Sequence, residues 1–432
     1  MKKLISMFSV LIALGACSSD SDKPDSEPIA QQSDRTVVVY MSGENSLSSL
    51  VDANLKEMKD GSLKLSSSNS LVVFVDKSKN SELPWLARIQ NGKVTDSVSV
   101  EDMNIRITDS YKGSQIIDKN GNLTDKYDPY ASDPLVMEAV LKYAFNKYPS
   151  KNADYGLVLW GHSTGWVMSE SIPTRAFGID NGINSSTSNN GKWMNIPTMV
   201  GVLKKLPHLK FIFADCCLFM CMESLYELRD VADYIIGSPA EIPQDGAPYQ
   251  TVVPDMFSQS TTFYNSIVDD YYAQKNGDKK DLDLPLTVVD MKMMDQLATA
   301  TKTALQEVKK QQTTEYADLK GIVYYFYNDQ RAFYDASNAI CHDAGDFIHA
   351  KAPEAAYKTW KAALDNAVKK KTISTKWYTA FKWDTFYGDN FKVTTEYQSG
   401  LSMYVPQSTK TGHHATYDTD IKNFTWYNAV LK

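Results

Sequence analysis

The sequence predicts an α/β protein built on a mostly parallel central sheet, and two observations carry that prediction. Short apolar, β-branched runs alternate with longer stretches of helical periodicity from residue 36 to about residue 311. Two of those runs, Tyr155–Trp160 and Leu209–Ala214, lead straight into reactive side chains: Gly161-His162-Ser163-Thr164-Gly165-Trp166 after the first and Asp215-Cys216-Cys217 after the second. In an open parallel sheet, ligands sit outside the carboxyl ends of the strands, so neighbouring strands would bring His162 and the cysteines together there.

In chain order, Thr36–Tyr40 and Leu71–Val75 read as strands buried on both faces, because neither run alternates with polar residues. Asp133-Pro134 caps a helix whose Leu135, Val136, Ala139, Val140 and Tyr143 share one face, and Tyr148-Pro149 ends it before the strand at Tyr155. Asn184 to Lys192 is polar and rich in structure breakers, which predicts an exposed loop. After Cys217, Met222 to Val231 reads as a helix, Tyr234–Gly237 as a strand and Ser238 to Tyr249 as a loop with Pro and Gly. Leu286–Asp290 is a further strand, followed by an amphipathic helix bearing Met294, Leu297, Ala298, Ala304, Leu305 and Val308. Residues 312–372 are mostly helical in pattern, with strand-like pieces at Phe381–Tyr387 and Gly400–Val405. The expected organisation is a core over residues 35–311 and an accessory α/β C-terminal region over 312–432. No internal repeat and no Walker or Rossmann glycine pattern occurs.

The N-terminus is an address. Lys2 and Lys3 precede an apolar run, Leu4–Leu14, that is too short to span a bilayer, and Leu14-Gly15-Ala16-Cys17 resembles the site at which bacterial lipoproteins are cleaved and acylated. A signal peptide over residues 1–16, lipidation of Cys17 and a disordered tether over 17–34 follow, giving an exported protein held to the outer membrane by lipid alone. Removing Lys2 and Lys3 with the signal takes the formal charge from −7 to −9, which excludes nucleic acid as a natural partner. Of five cysteines, three crowd between positions 216 and 221, so this is not a disulfide framework.

Cleaving a peptide bond needs a nucleophile, a proton donor for the leaving amine and donors for the oxyanion. Cys217 falls between a strand end and the helix near Met222, where free backbone N–H groups would favour thiolate, and His162 can handle the proton. His162 precedes Cys217 by 55 residues, the order and interval of caspase-like cysteine peptidases.

Leu157–Trp166 and Asp215-Cys216-Cys217-Leu218 resemble the two signature segments of the clostripain family. Val38–Met41 with Asn45, Gly178-Ile179-Asp180, Gly237–Tyr249, Gly400–Tyr404 and Trp426-Tyr427 resemble that family too, from about residue 35 to the end. The resemblance implies a caspase-like αβα sandwich, a Cys-His dyad of Cys217 and His162, and a monomer that cleaves protein or peptide substrates after Arg or Lys. By the same resemblance Asp215 is the acid at the base of the specificity pocket and Asp245 a second one. Two carboxylates there would favour a guanidinium or ammonium over any neutral group. Ser163 stands where the family often has Gly, with its N–H in the oxyanion hole, and Lys192 resembles a self-cleavage site between His and Cys. No cofactor is required. Calcium dependence occurs in the family, but no Asp-x-Asp-x-Asp-Gly loop is present and no metal is assigned.

Other readings remain open at this level. Gly161–Gly165 matches the nucleophile elbow of esterases and lipases with Ser163 as nucleophile, although Ser169–Arg175, with Pro173, breaks the helix that an elbow needs. A silent binding lipoprotein is a third reading. A zinc site from Cys216, Cys217, Cys221 and a His is disfavoured because adjacent cysteines rarely give tetrahedral spacing. Cys341, His208, His342, His349, His413 and His414 have no comparable context.

Overall fold

Every residue of the strand Thr36–Gly43 is buried, which only a sheet covered on both faces provides. The protein is described by a computed structural model over residues 32–78, 82–103, 115–118, 120–167, 176–182, 191–278, 284–327, 339–374, 377, 396–407 and 413–432. Its strands are β1 (Thr36–Gly43), β2 (Ser70–Lys77), β3 (Trp85–Gln90), β4 (Lys93–Ser99), β5 (Gln115–Ile117), β6 (Leu123–Tyr127), β7 (Tyr155–Trp160), β8 (Phe177–Asp180), β9 (Lys192–Met194), β10 (Leu209–Asp215), β11 (Ala232–Gly237), β12 (Thr287–Asp290), β13 (Tyr324–Tyr327), β14 (Ala339–Asp343), β15 (Val368–Lys371) and β16 (Ser402–Met403). The central sheet runs β15-β12-β11-β10-β7-β1-β2-β3-β4. Its inner five strands are parallel, and an antiparallel pair is added at each edge.

Alternation along the inner strands divides their side chains between two layers. Val38, Tyr40, Leu157, Leu159, Ile212 and Ala214 face one core; Val37, Val39, Val158, Trp160, Phe211 and Phe213 face the other. The second core is closed by α1 (Val51–Ser62), α5 (Tyr249–Met256) and α6 (Phe263–Asp278). The first is closed by α2 (Pro134–Lys147), α3 (Ile196–Leu203), α4 (Met222–Leu228), α7 (Met294–Gln311), α8 (Ala344–Lys351) and α9 (Glu354–Ala367). The sequence pattern located the inner strands and the caps: Asp133 accepts from the Leu135 N–H at 2.8 Å, and α2 ends at Lys147.

Three expectations change. The tether ends before residue 33, because Ser33 bridges Ser150 and its N–H bonds the Pro149 carbonyl at 2.7 Å. Residues 312–372 contain β13, β14 and β15 as well as helices, and β15 extends the central sheet through β12. Beyond residue 311 the chain shares the first core rather than building one apart from it. Trp166 packs against Tyr404 at 4.8 Å between ring centroids, and the carboxylates of Glu223 and Glu227 accept from the backbone N–H groups of Tyr404 and Trp426. Cys17, Ser169–Arg175, Asn184–Asn190 and Phe381–Tyr387 lie outside the described residues.

Candidate active site

Asp215 pairs with Trp160 in the ladder between β10 and β7, so the two strands end side by side. Neighbouring strands lie about 4.8 Å apart, and two residues past those ends stand Cys217 and His162. The His162 carbonyl is tied to β8 by the Gly178 N–H at 2.8 Å, and the Thr164 N–H bonds the Ala176 carbonyl at 3.1 Å. These bonds flank Ser163 and aim its own N–H away from β8, since successive N–H groups of an extended chain alternate in direction. The His162 Nε2 lies 2.8 Å from the Ser46 hydroxyl, on the loop after β1. Burial lowers the imidazole to about 4, so the ring is neutral at pH 7.

Of the three clustered thiols, Cys216 and Cys221 are buried and Cys217 is half-buried. Cys216 faces the first core, whereas the Cys217 sulfur receives the Ile242 N–H at 3.4 Å. Burial pushes the Cys217 thiol up to about 12, with Glu241 and then Asp215 adding to the rise against that N–H. The expected thiolate is therefore not the resting form. Its premise fails on geometry, because α4 starts at Met222, well past Cys217, and a helix dipole fades within a turn. Leu218 is held at φ 59°, a conformation that costs energy for a branched side chain. Gly165 gives the Leu218 backbone room to pass: a Cβ there would stand 2.5 Å from the Leu218 carbonyl oxygen. The two loops are thus locked to each other.

A cleft of about 250 Å³ opens between them, lined among others by Ser46, His162, Cys217, Asp215 and Glu241. The Asp215 carboxylate is 3% exposed and accepts from the Ala247 N–H at 3.0 Å, the Tyr249 hydroxyl at 2.7 Å and the Tyr271 hydroxyl at 3.1 Å. Asp245 does not join it. The Gly246 N–H bonds the Pro243 carbonyl at 3.0 Å, and this turn puts Gln244 and Asp245 at its exposed tip. Glu241, four residues before Asp245 on the same loop, lines the cleft instead. Lys192 also departs from expectation: it opens β9 opposite Asp180, half-buried, with its ammonium 4.5 Å above the Tyr130 ring. The Ser163 hydroxyl is buried, accepts from the Gly165 N–H at 3.1 Å and interacts with Cys216, so it does not face the cleft as an esterase nucleophile must. Sequence reasoning missed Ser46 and Glu241. Their only signal was position, on the loops that follow strands neighbouring β7 and β10.

A half-buried thiol and a histidine presented by adjacent parallel strands of a sheet covered on both faces are the arrangement of a cysteine peptidase of caspase-like build. The chain belongs to the clostripain family, whose model matches residues 39–432. A secreted C11 cysteine protease from Bacteroides thetaiotaomicron, solved with an irreversible peptide inhibitor, is 26% identical at a TM-score of 0.68, with 91% of this chain and 98% of that one covered. An inactive zymogen C11 protease from Parabacteroides distasonis is 24% identical at 0.69 over 93% and 99% of the two chains, and has the same fold. A further secreted C11 cysteine protease from Bacteroides thetaiotaomicron, iotapain, is 19% identical at 0.67 over 93% and 99%, and again has the same fold. No curated protein matches the chain.

Proposed function

We propose that this peptidase cleaves after Arg or Lys with Cys217 as nucleophile and His162 as its acid and base. The observation that carries the reading is that one cleft holds the half-buried thiol, the imidazole and the Asp215 carboxylate. His162 takes the thiol proton as sulfur attacks the carbonyl carbon, and the carbonyl electron pair moves to an oxygen that the Ser163 N–H helps to hold. When the C–N bond breaks, the amine leaves with the proton from the imidazolium. Water, deprotonated by His162, then hydrolyses the thioester, releasing the new carboxylate and the thiol. These steps use protein groups and water alone.

Asp215 and Glu241 receive the basic side chain. They are also the two charges that raise the thiol, so a bound guanidinium or ammonium offsets the field opposing deprotonation of Cys217. Ser46 is a positioning residue for His162. Export with a lipid on Cys17, a monomeric state and self-cleavage at Lys192 complete the reading, the last requiring β9 to open.

The deciding experiment measures hydrolysis of Arg, Lys and neutral fluorogenic peptides by wild type, Cys217→Ala and Cys216→Ala. Basic peptides should be cleaved by wild type and Cys216→Ala and left intact by Cys217→Ala. Activity that survives in Cys217→Ala, or that favours neutral peptides, overturns the assignment.

A further inference from the structure

Two buried tyrosines hold the Asp215 carboxylate. Tyr249 opens α5 and Tyr271 lies on α6, both within the second core. Glu57 on α1 accepts from the Tyr249 N–H at 3.0 Å, and the Tyr271 ring stands edge-on to Phe213 of β10 at 6.1 Å between centroids. Neither tyrosine is more than 1% exposed, so neither hydroxyl can turn away to solvent. Burial and the adjacent Asp215 hold both phenols well above their ordinary range, so both remain O–H donors at neutral pH.

The two oxygens of Asp215 are used unequally. Oδ2 takes the Tyr249 O–H at 2.7 Å and the Ala247 N–H at 3.0 Å, which fills both of its lone pairs, whereas Oδ1 takes the Tyr271 O–H at 3.1 Å. Backbone closes on the same side, since a Cβ on Gly246 would lie 2.7 Å from Oδ2. A group arriving from the cleft therefore meets this carboxylate at Oδ1 alone. A guanidinium prefers a fork of two parallel N–H bonds, one to each oxygen, and when held by a single bond it leaves rigid donors desolvated and unpaired. An ammonium is a compact charge with three donors that rotate together, and one oxygen is enough to seat it. Glu241, half-buried in the same cleft, adds charge that serves either cation.

We propose that Tyr249 and the Ala247 N–H, by occupying Oδ2 of Asp215, make the cleft select a primary ammonium over a guanidinium, so that this peptidase cleaves after Lys in preference to Arg. Tyr249 is then a specificity-determining residue that acts through Asp215. The inference rests on the reading that Asp215 receives the substrate's basic side chain. Sequence reasoning missed it because the count of acids in a pocket does not tell how many of their lone pairs the protein already uses, and Tyr249 and Tyr271 lie 34 and 56 residues beyond Asp215.

The test measures kcat/KM for fluorogenic peptides that differ only in carrying Lys, Arg or norleucine at the cleavage position, with wild type, Tyr249→Phe and Tyr271→Phe. Wild type should favour Lys over Arg by about tenfold or more, the worth of one hydrogen bond to a charged group. Tyr249→Phe opens a position on Oδ2 and should narrow that ratio by about tenfold. Tyr271→Phe leaves Oδ2 filled and should lower both basic peptides alike, keeping the ratio. Calorimetric Kd values of the Lys and Arg peptides for Cys217→Ala should show the same preference without turnover, and they decide the question should Tyr249→Phe fail to melt cooperatively. Equal cleavage of Lys and Arg, or a preference for Arg, with norleucine refused, overturns the selection and leaves basic specificity standing. An equal fall on both basic peptides in a folded Tyr249→Phe overturns the role of Tyr249. Norleucine cleaved as well as Lys overturns the underlying reading of Asp215, and the selection with it.

Discussion

Burial acts on Cys217 and His162 in opposite directions, towards about 12 for the thiol and about 4 for the ring, and both shifts favour the neutral form. The resting pair is therefore thiol and imidazole, and alkylation of Cys217 by iodoacetamide in Cys216→Ala should rise about tenfold per pH unit from pH 8 to 11, tracking the small thiolate fraction. A rate already at its plateau near pH 6 would show the ion pair instead. The same shifts set stability. A thiol whose folded pKa lies above its unfolded value contributes stability that is full below about 8.5 and lost as pH rises towards 12. An imidazole whose folded pKa lies below its unfolded value of about 6.5 loses its contribution as pH falls towards 4. Denaturant midpoints should therefore fall above pH 8.5, and less so in Cys217→Ala. In the cleft, Asp215→Asn should lower kcat/KM for Arg and Lys peptides by about a hundredfold or more, because it leaves a desolvated cation without its partner. Glu241→Gln should cost less, being only half-buried. Equal losses on basic and neutral peptides would show a structural role for Asp215 rather than a specificity role.

At the scale of elements, the site depends on two places where backbone passes too close for a side chain. Gly246 has φ +67°, and a Cβ there would lie 2.7 Å from the Asp215 carboxylate. Gly246→Ala should therefore push the turn off Asp215, costing about 1–3 kcal/mol of stability and raising KM for basic peptides, both readable from a melt and a kinetic series. Gly165→Ala should instead separate the His162 and Cys217 loops and lower kcat. This contrast explains what was legible. The inner strands announced themselves through unbroken apolar runs, and parallel register then carried His162 and Cys217 to the same carboxyl end of the sheet without further information. Asp245 sits at the exposed tip while Glu241 lines the cleft because a tight turn, not composition, decides which acid of that loop points inward. Strand β15 was invisible because Val368-Lys369-Lys370-Lys371 carries the lysines of a protected sheet edge and no apolar pattern. Lys192 was placed in a loop because β9 is only three residues long and its pairing with β8 follows a polar, breaker-rich stretch of sequence.

At the scale of the molecule, the last hundred residues behave as part of the core rather than as an appendage. Trp166, only four residues past His162, is fully buried and meets Tyr404 and Phe424. Helix α4, which follows the Cys217 loop, sends Glu223 and Glu227 to cap the backbone of Tyr404 and Trp426. Cutting the chain after residue 400 would expose the partner face of Trp166 and leave the buried Glu223 carboxylate without its donor, alongside the loss of Tyr404, Phe424 and Trp426. Removing a single buried aromatic side chain costs about 3–5 kcal/mol, and whole domains are stable by only about 5–15 kcal/mol, so the loss of three exceeds what the remainder can spare. The truncated chain should be insoluble or molten, without cooperative melting, and it should not label with a basic peptide inhibitor even when the sheet's own strands are intact in sequence. Trp166→Ala in the full chain is the graded version, with a loss of about 3–5 kcal/mol and kcat falling together with stability, since the same tryptophan anchors the far end of the His162 loop. A truncated chain that melts cooperatively and cleaves basic peptides would show that the C-terminal region is dispensable, and that the two loops hold their geometry through the contact of Gly165 with Leu218 alone.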